Sequence, residues 1–380
     1  MHILLTIHHH LDPNAGAPGV TLDLGRAYQA LGHNVSFYSF DDLPAFPGLW
    51  LRPLLFPWFT AFHIVRKRPV PDTIEASTGD AWVWAALFRP FYRHPPLLVT
   101  QSHGLEHMVH EQRVTDACAG GTRLSWKYPF YHGGYRLWET AISLRKADLA
   151  IFLNRHDKEY AVKRLRVRDD RAVVFPNGIP ETFHGLPLER LPDNLQPGIA
   201  VIGSHIERKG IRYSVPALVI VLRQNPQVRV GLFGTGLDRA TVLKDFPADV
   251  RDRVHVTPSY DRNALPSALS GYHIVLLASL SEGFGLTLVE AMACGLAPVA
   301  TNIQGPADII CDGANGILVP PRNSKAIVSV LQKLLDTRST LESLRKRARE
   351  KAREYDWNRI AQQRLALYAG FRRCEKHGCG

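Results

Sequence analysis

SLSEGFGLTLVEAMACGLAPVAT, residues 279–301, is the stretch whose reading decides the fold. Apolar residues Ile274 to Ala278 lead into it as a strand, and Pro298 to Thr301 leave it as another. Between them lies a Gly283-Phe284-Gly285 turn, then a short apolar helix that Gly295 caps. Glu282 sits on the loop before that helix. Glu290 sits inside it, among Val289, Ala291, Met292 and Ala293. A buried, ionised carboxylate is costly unless donors meet it. Sugar hydroxyls are suitable donors; the structural alternative is a glutamate paired within the protein. The helix N-terminus offers N–H groups and a positive dipole, which suit a phosphate. The stretch thus suggests a ligand with a sugar at one end, an anion in the middle and hydroxyls at the other.

With 380 residues, two domains are the natural expectation. A hydrophobic content of 45% is ample for two cores. The net charge of +11 implies anionic partners, whether nucleic acid, anionic lipid or phosphorylated substrate. The basic residues are dispersed or set beside bulky apolar ones, and no recognition motif is visible, which argues against a nucleic-acid binder. The five cysteines have no regular spacing and no Cys-x-x-Cys, so they read as reduced thiols in a cytoplasmic protein. MHILLTIHHH reads as a first strand and not a leader, and no apolar run is long enough to span a membrane.

Ile3 to Ile7, a small-residue loop with Ala15-Gly16, an amphipathic run from Val20 to Leu31, and Val35 to Ser39 form strand, loop, helix, strand. That is the opening of a doubly wound α/β domain. Gly-x-Gly-x-x-Gly is absent, which counts against a dehydrogenase. Residues 44–70 are crowded with aromatics, prolines and a few bases. They read either as a loop and helix closing the first core or as a surface dipping into a membrane interface. Residues 123–146 carry more aromatics and bases, fit to extend an acceptor-facing surface. Asp72 to Ala76 and Leu97 to Gln101 read as strands. His103, just past the second, faces the crevice where such sheets bind ligands. Leu149 to Leu153 and Val173 to Phe175 follow as strands, then Pro176-Asn177-Gly178 and a proline-spaced polar stretch.

A second sheet starts at Ile199 to Ile202. Gly203-Ser204-His205-Ile206-Glu207-Arg208-Lys209-Gly210 comes next, then strands at Val228 to Phe233, Val254 to Thr257 and Ile317 to Val319. Residues 324–354 read as helical, and Tyr355-Asp356-Trp357 introduces a last helix. The three histidines at 8–10 read as strand-end packing, and the CEKHGCG tail as frayed.

The frame SEGFGLTLVEAMACGLAPVAT, with Ala15-Gly16, Pro176-Asn177-Gly178 and Lys209-Gly210, resembles the family 4 glycosyltransferases, retaining enzymes of the GT-B fold. The resemblance implies two Rossmann-like doubly wound parallel-sheet domains facing a deep cleft, with a C-terminal helix crossing back to the N-domain. The boundaries are then 1–180 for an acceptor-binding domain, 181–197 for a linker, 198–355 for a nucleotide-sugar domain, and 356–380 for the closing helix and tail. It implies transfer of a sugar from a nucleotide-sugar donor to a hydroxyl of a glycan or lipid-linked acceptor, with the anomeric configuration retained. Cell-envelope polysaccharide or glycolipid synthesis is the expected setting, at the inner face of the cell membrane, with peripheral contact with anionic lipid. Glu282 would hold the donor sugar; Phe284, Gly285 and Leu286 would offer N–H groups; Thr287 would sit beside the diphosphate; Glu290 would take the ribose hydroxyls. Lys209 and Gly16 would face the diphosphate, His103 the transferred sugar, and the strand end at Thr257 the base. Ser204 stands where the family has Arg, with Arg208 as the expected substitute; Ala15 is a milder departure. No metal or cofactor is implied, since no Asp-x-Asp carboxylate pair is found. Competing readings are a nucleotide-sugar epimerase of the same architecture, which the Glu-x7-Glu frame opposes, and a non-catalytic membrane-associated relative, which Ser204 alone favours.

Overall fold

The computed structural model describes residues 1–44, 51–118, 124–188, 191 and 197–377, without the side chains of 372–377. Residues 45–50 and Arg123 of the two aromatic stretches, 189–190 and 192–196 of the expected linker, and the tail from 378 lie outside the described residues. The chain divides into two compact units, Met1–Gly178 with Trp357–Gly380, and Ile179–Asp356.

In the first unit the order is β1 (His2–Thr6), α1 (Gly16–Ala30), β2 (Asn34–Tyr38), α2 (Arg52–Arg66), β3 (Thr73–Ser77) and β4 (Leu97–Gln101). Then come α3 (Glu106–Cys118), α4 (Arg136–Lys146), β5 (Leu149–Phe152), α5 (Arg155–Leu165) and β6 (Ala172–Val174). The six strands form one parallel sheet in the order β2-β1-β3-β4-β5-β6. The inner strands β3, β4 and β5 are buried along their whole length, because helices cover both faces. Of the aromatic stretch at 44–70, Phe56 and Ile64 are buried in the core with Trp84, whereas Trp58 and Phe62 remain exposed.

The second unit runs β7 (Gly198–Ile202), α6 (Ile211–Gln224), β8 (Val230–Phe233), α7 (Arg239–Leu243), β9 (Val254–Thr257), α8 (Leu265–Ala268) and β10 (Tyr272–Leu277). It continues with α9 (Leu286–Ala293), β11 (Ala297–Thr301), α10 (Pro306–Ile309), β12 (Ile317–Val319), α11 (Ser324–Asp336) and α12 (Arg338–Ala352). Its parallel sheet has the order β12-β11-β10-β7-β8-β9. The proline-spaced stretch after 181 packs on this unit where it is described: Phe183 and Leu191 are buried, and Arg338 donates to the Leu191 carbonyl at 2.5 Å.

The last helix, α13 (Trp357–His377), belongs to the first unit and packs against α1. A buried ion pair fixes it there. Arg364 donates to Glu75 Oε1 on β3 at 2.5 Å and to Gln101 Oε1 on β4 at 2.8 Å. The hydroxyls of Tyr28 and Tyr368 donate to Glu75 Oε2 at 3.0 and 2.9 Å. Truncating one partner of such a pair strands the other charge, which costs about 3–5 kcal/mol. Arg364→Met therefore lowers the unfolding free energy read from a urea titration by an amount of that order, and Arg364→Met with Glu75→Met loses less than the sum of the two single changes.

Candidate functional site

The strand order of each sheet reverses once, and ligands of open α/β sheets bind at the carboxyl ends of the strands flanking that point. In the second sheet the reversal falls between β7 and β10. The loops leaving those two strands are 203–210 and 278–285.

Gly210 locks the two loops together. It adopts φ 73°, and a Cβ there would overlap the Ala278 carbonyl at the end of β10. Only glycine meets both demands without strain. Leu280 N–H then donates to the Arg208 carbonyl at 2.9 Å. Lys209 Nζ reaches Glu282 Oε1 at 2.5 Å, and Ser279 Oγ donates to the same oxygen at 2.6 Å. Lys209 and Glu282 are only 17% and 11% exposed, so this cation and carboxylate sit in a partly dry recess. Arg208 donates to the Ser281 carbonyl at 3.1 Å, from a more exposed position. Ser204 is exposed and lines a small pocket with Lys209 and Thr235.

Gly285, at φ 101°, is the N-cap of α9. Leu286 and Thr287 open the helix, so the positive end of its dipole lies on the same loop as Glu282. Phe284 is buried, its ring 5.6 Å from that of Tyr355, and its carbonyl is covered by Gly305, where a Cβ would come within 2.7 Å. Its side chain thus anchors the loop and leaves only backbone for a ligand.

Glu290 is buried inside α9, and the structure supplies a protein donor for it. Arg262 Nε donates to Glu290 Oε1 at 2.5 Å, with the side chains 8% and 2% exposed. Of the two readings the sequence left open, pairing within the protein is realised in this state. Arg262 follows β9 in a segment without periodicity, so no pattern linked it to a residue 28 positions later. Burial and the Glu290 charge raise the Tyr260 hydroxyl, and push the Cys294 thiol up to about 12.

The first sheet reverses between β1 and β3, and here too polar side chains gather. His8 Nδ1 lies 2.6 Å from Asp80 Oδ1, and Thr6 Oγ1 donates to Asp80 Oδ2 at 3.2 Å. Arg136 donates to His8 Nε2 at 2.7 Å, to Glu139 Oε1 at 2.7 Å and to Glu106 Oε1 at 3.1 Å. A guanidinium only donates, so His8 Nε2 accepts and the neutral ring carries its proton on Nδ1, toward Asp80. Burial, then Arg136, push the His8 imidazole down to about 3. Burial raises Asp80, and pushes Glu139 up to about 7. Thr78, between the strand and Asp80, has φ 34°, a costly value for a β-branched residue.

His103 follows β4, the next strand in the sheet. Burial, with His8, Arg364 and His9 nearby, pushes its imidazole down to about 3. Gly16 is exposed at the first position of α1, with no atom within 4 Å of where a Cβ would stand. Gly16 and His103 thus belong to the first unit, and the other predicted site residues to the second. Sequence reasoning missed the His8, Asp80 and Arg136 group. Its one available signal was that His8 and Asp80 each follow a buried strand.

Two family models match the chain: glycosyl transferases group 1 over residues 190–354, and glycosyltransferase family 4 over residues 15–183. A D-inositol 3-phosphate glycosyltransferase of Xylanimonas cellulosilytica is 33% identical over 158 residues, which are 40% of this chain and 38% of that protein. The match spans less than half the length of each of the first curated relatives, between 35% and 47%. Among solved structures, sucrose-phosphate synthase from Thermosynechococcus elongatus superposes with a TM-score of 0.76 at 20% identity, covering 97% of this chain and 98% of that one. Anabaena HepE in complex with UDP-glucose gives a TM-score of 0.69 at 17% identity, covering 97% and 100%. These likenesses establish the GT-B fold. The two models together cover most of the sequence, and the chain belongs to the family 4 glycosyltransferases.

Proposed function

We propose that the protein transfers a sugar from a nucleotide-diphosphate sugar to a hydroxyl of a glycan or lipid-linked acceptor, with retention of the anomeric configuration. The observation that carries this reading is the meeting of Lys209, Glu282 and the N-terminus of α9 at the β7/β10 reversal. One loop pair there presents a cation, an acceptor for sugar hydroxyls and N–H donors for an anion. The structural neighbour HepE was solved with UDP-glucose, which supports a nucleotide-sugar partner.

In the reaction the bond from the anomeric carbon to the diphosphate oxygen breaks, and a bond to the acceptor oxygen forms on the same face. The acceptor proton passes to the leaving diphosphate. Negative charge on that diphosphate grows as the bond breaks, so Lys209, Arg208 and the α9 terminus act more strongly on the transition state than on the ground state. The reading assigns this work to them without a metal ion or cofactor. Glu282 accepts from hydroxyls of the transferred sugar, and Glu290 from the ribose. Neutral His103 exchanges hydrogen bonds with the sugar or the acceptor.

Peripheral membrane contact fits the surface of the first unit. Trp126 and Phe130 are 76% and 74% exposed, with Lys127 Nζ lying 5.5 Å from the Trp126 ring centre. Exposed aromatics beside a base suit the interfacial layer of an anionic bilayer. The expected contact thus extends from residues 44–70, where Phe56 enters the core and Trp58 and Phe62 stay exposed, to residues 124–138. We assign the protein to cell-envelope polysaccharide or glycolipid synthesis on the cytoplasmic face; no helix among the described residues is long and apolar enough to cross a membrane.

Thermal-shift screening of UDP, GDP, ADP and TDP, then of their sugars, should raise the melting temperature for one base. Lys209→Ala should weaken that nucleotide by about tenfold or more, and Glu282→Gln should lower transfer by about a hundredfold, the scale of losing one transition-state contact. A protein indifferent to every nucleotide would contradict the reading. The His103 ring should stay neutral from pH 8 to pH 5, so its Cε1–H resonance should not titrate in that range. Because its folded pKa lies below the unfolded value of about 6.5, its contribution to stability is full above that value and is lost as pH falls. Co-sedimentation with vesicles containing anionic lipid should be strong at low salt and fall several-fold for Trp126→Ser with Phe130→Ser; equal pelleting of the two proteins would remove this surface from the account.

A further inference from the structure

Glu290 is placed by α9, and Arg262 by the segment between β9 and α8; both are almost wholly withdrawn from water. We propose that Arg262 is a positioning residue that keeps Glu290 ionised and aimed, so that its carboxylate can accept the ribose hydroxyls of a bound nucleotide. This inference rests on the nucleotide-sugar reading above and assigns a role that the signature stretch alone does not contain.

A carboxyl group buried beside Val289 and Ala291 favours its neutral form unless a cation opposes the desolvation. Once protonated it becomes a donor on one oxygen and a weaker acceptor on the other. Both changes disfavour two vicinal hydroxyls that must donate to it. The guanidinium of Arg262, charged at every working pH, prevents this from a distance of 2.5 Å. It contacts Oε1 through Nε, and a carboxylate with two oxygens and about four lone-pair directions can accept from several donors at once. The pair therefore prepares a fixed acceptor before any nucleotide arrives.

Among the described residues, Arg262 is the cation seen on Glu290, and the other titratable groups near α9 stand in other settings. Tyr260, on the Arg262 segment, and Cys294, at the end of α9, are both held neutral by burial and by Glu290 itself. Arg345, on the packed helix α12, donates to the Gly295 carbonyl beyond the helix end at 2.7 Å. Of the flanking strands, β10 carries the buried His273 and Tyr272, and β11 carries no ionisable side chain.

The test is calorimetric titration of the intact protein with UDP, GDP and ADP, each beside its 2′-deoxy analogue, from pH 6.5 to pH 9. A site built to accept a hydroxyl rejects the analogue lacking it, so the natural protein should prefer one ribonucleotide by at least about tenfold, evenly across this range. Arg262→Gln keeps an N–H donor and removes the charge. Its ribose preference should nearly vanish at pH 6.5 and climb toward the natural value at pH 9, as Glu290 ionises. Arg262→Lys keeps the charge and should hold an even preference within about threefold of the natural one. An unaltered, even preference in Arg262→Gln would overturn the proposal. So would a preference lost at every pH, which marks a purely structural role, or an equal loss in Arg262→Lys. If the natural protein binds no nucleotide or ignores the 2′-hydroxyl, the failure lies with the nucleotide reading itself, and this inference falls with it.

Discussion

The constraint on which the second unit depends is the single reversal of strand order between β7 and β10. Parallel strands ending side by side leave their connections diverging to opposite faces. The two loops at that point are then the nearest neighbours across the opening. Gly210 turns this topological accident into a chemical site, because its backbone lies where any side chain would strike the Ala278 carbonyl. Lys209, one residue earlier, is thereby delivered to Glu282. The ion pair and the positive end of α9 follow from the same packing.

The first unit repeats the logic with other side chains. Its reversal lies between β1 and β3, and the residues just past those strands are His8 and Asp80. Arg136 arrives from α4 and donates to His8 and to Glu139 through one guanidinium. Each sheet thus gathers polar side chains at the carboxyl ends of its inner strands, where a ligand can meet them. The second unit offers a cation and helix dipole suited to phosphate, and the first offers neutral imidazoles and hydrogen-bonding carboxyls suited to hydroxyls. Another buried pair, Arg364 on Glu75, ties α13 to the first sheet and serves packing.

Much of this was legible in the sequence because it depends on local pattern. Leu97–Gln101 and Val254–Thr257 are strands with the boundaries that their apolar runs predict, and Gly285 begins α9 where the turn and the helical run meet. Lys209-Gly210 was also legible, since the pair stands at a loop end after an apolar strand. Arg262 was not. It reaches Glu290 only after β9 and β10 have been placed three strands apart with β7 and β8 between them. Arg136 was hidden for the same reason, within an aromatic run that reads as surface. The rings of 44–70 left two readings open, core or interface. Their density suggests an interface, yet helical spacing carries Phe56 and Ile64 inward and leaves Trp58 and Phe62 outside. Buried ion pairs between distant segments have no signature in one sequence, because their partners are chosen by packing.

The central claim is that a diphosphate binds between Lys209 and the first turn of α9. A crystal structure of the protein with a bound nucleoside diphosphate tests it most directly. The account predicts phosphate oxygens within hydrogen-bond distance of Lys209 Nζ and of the Leu286 and Thr287 N–H groups, with the ribose hydroxyls on Glu290. A nucleotide seated elsewhere, with Lys209 still held on Glu282 and no phosphate at the helix end, would contradict it.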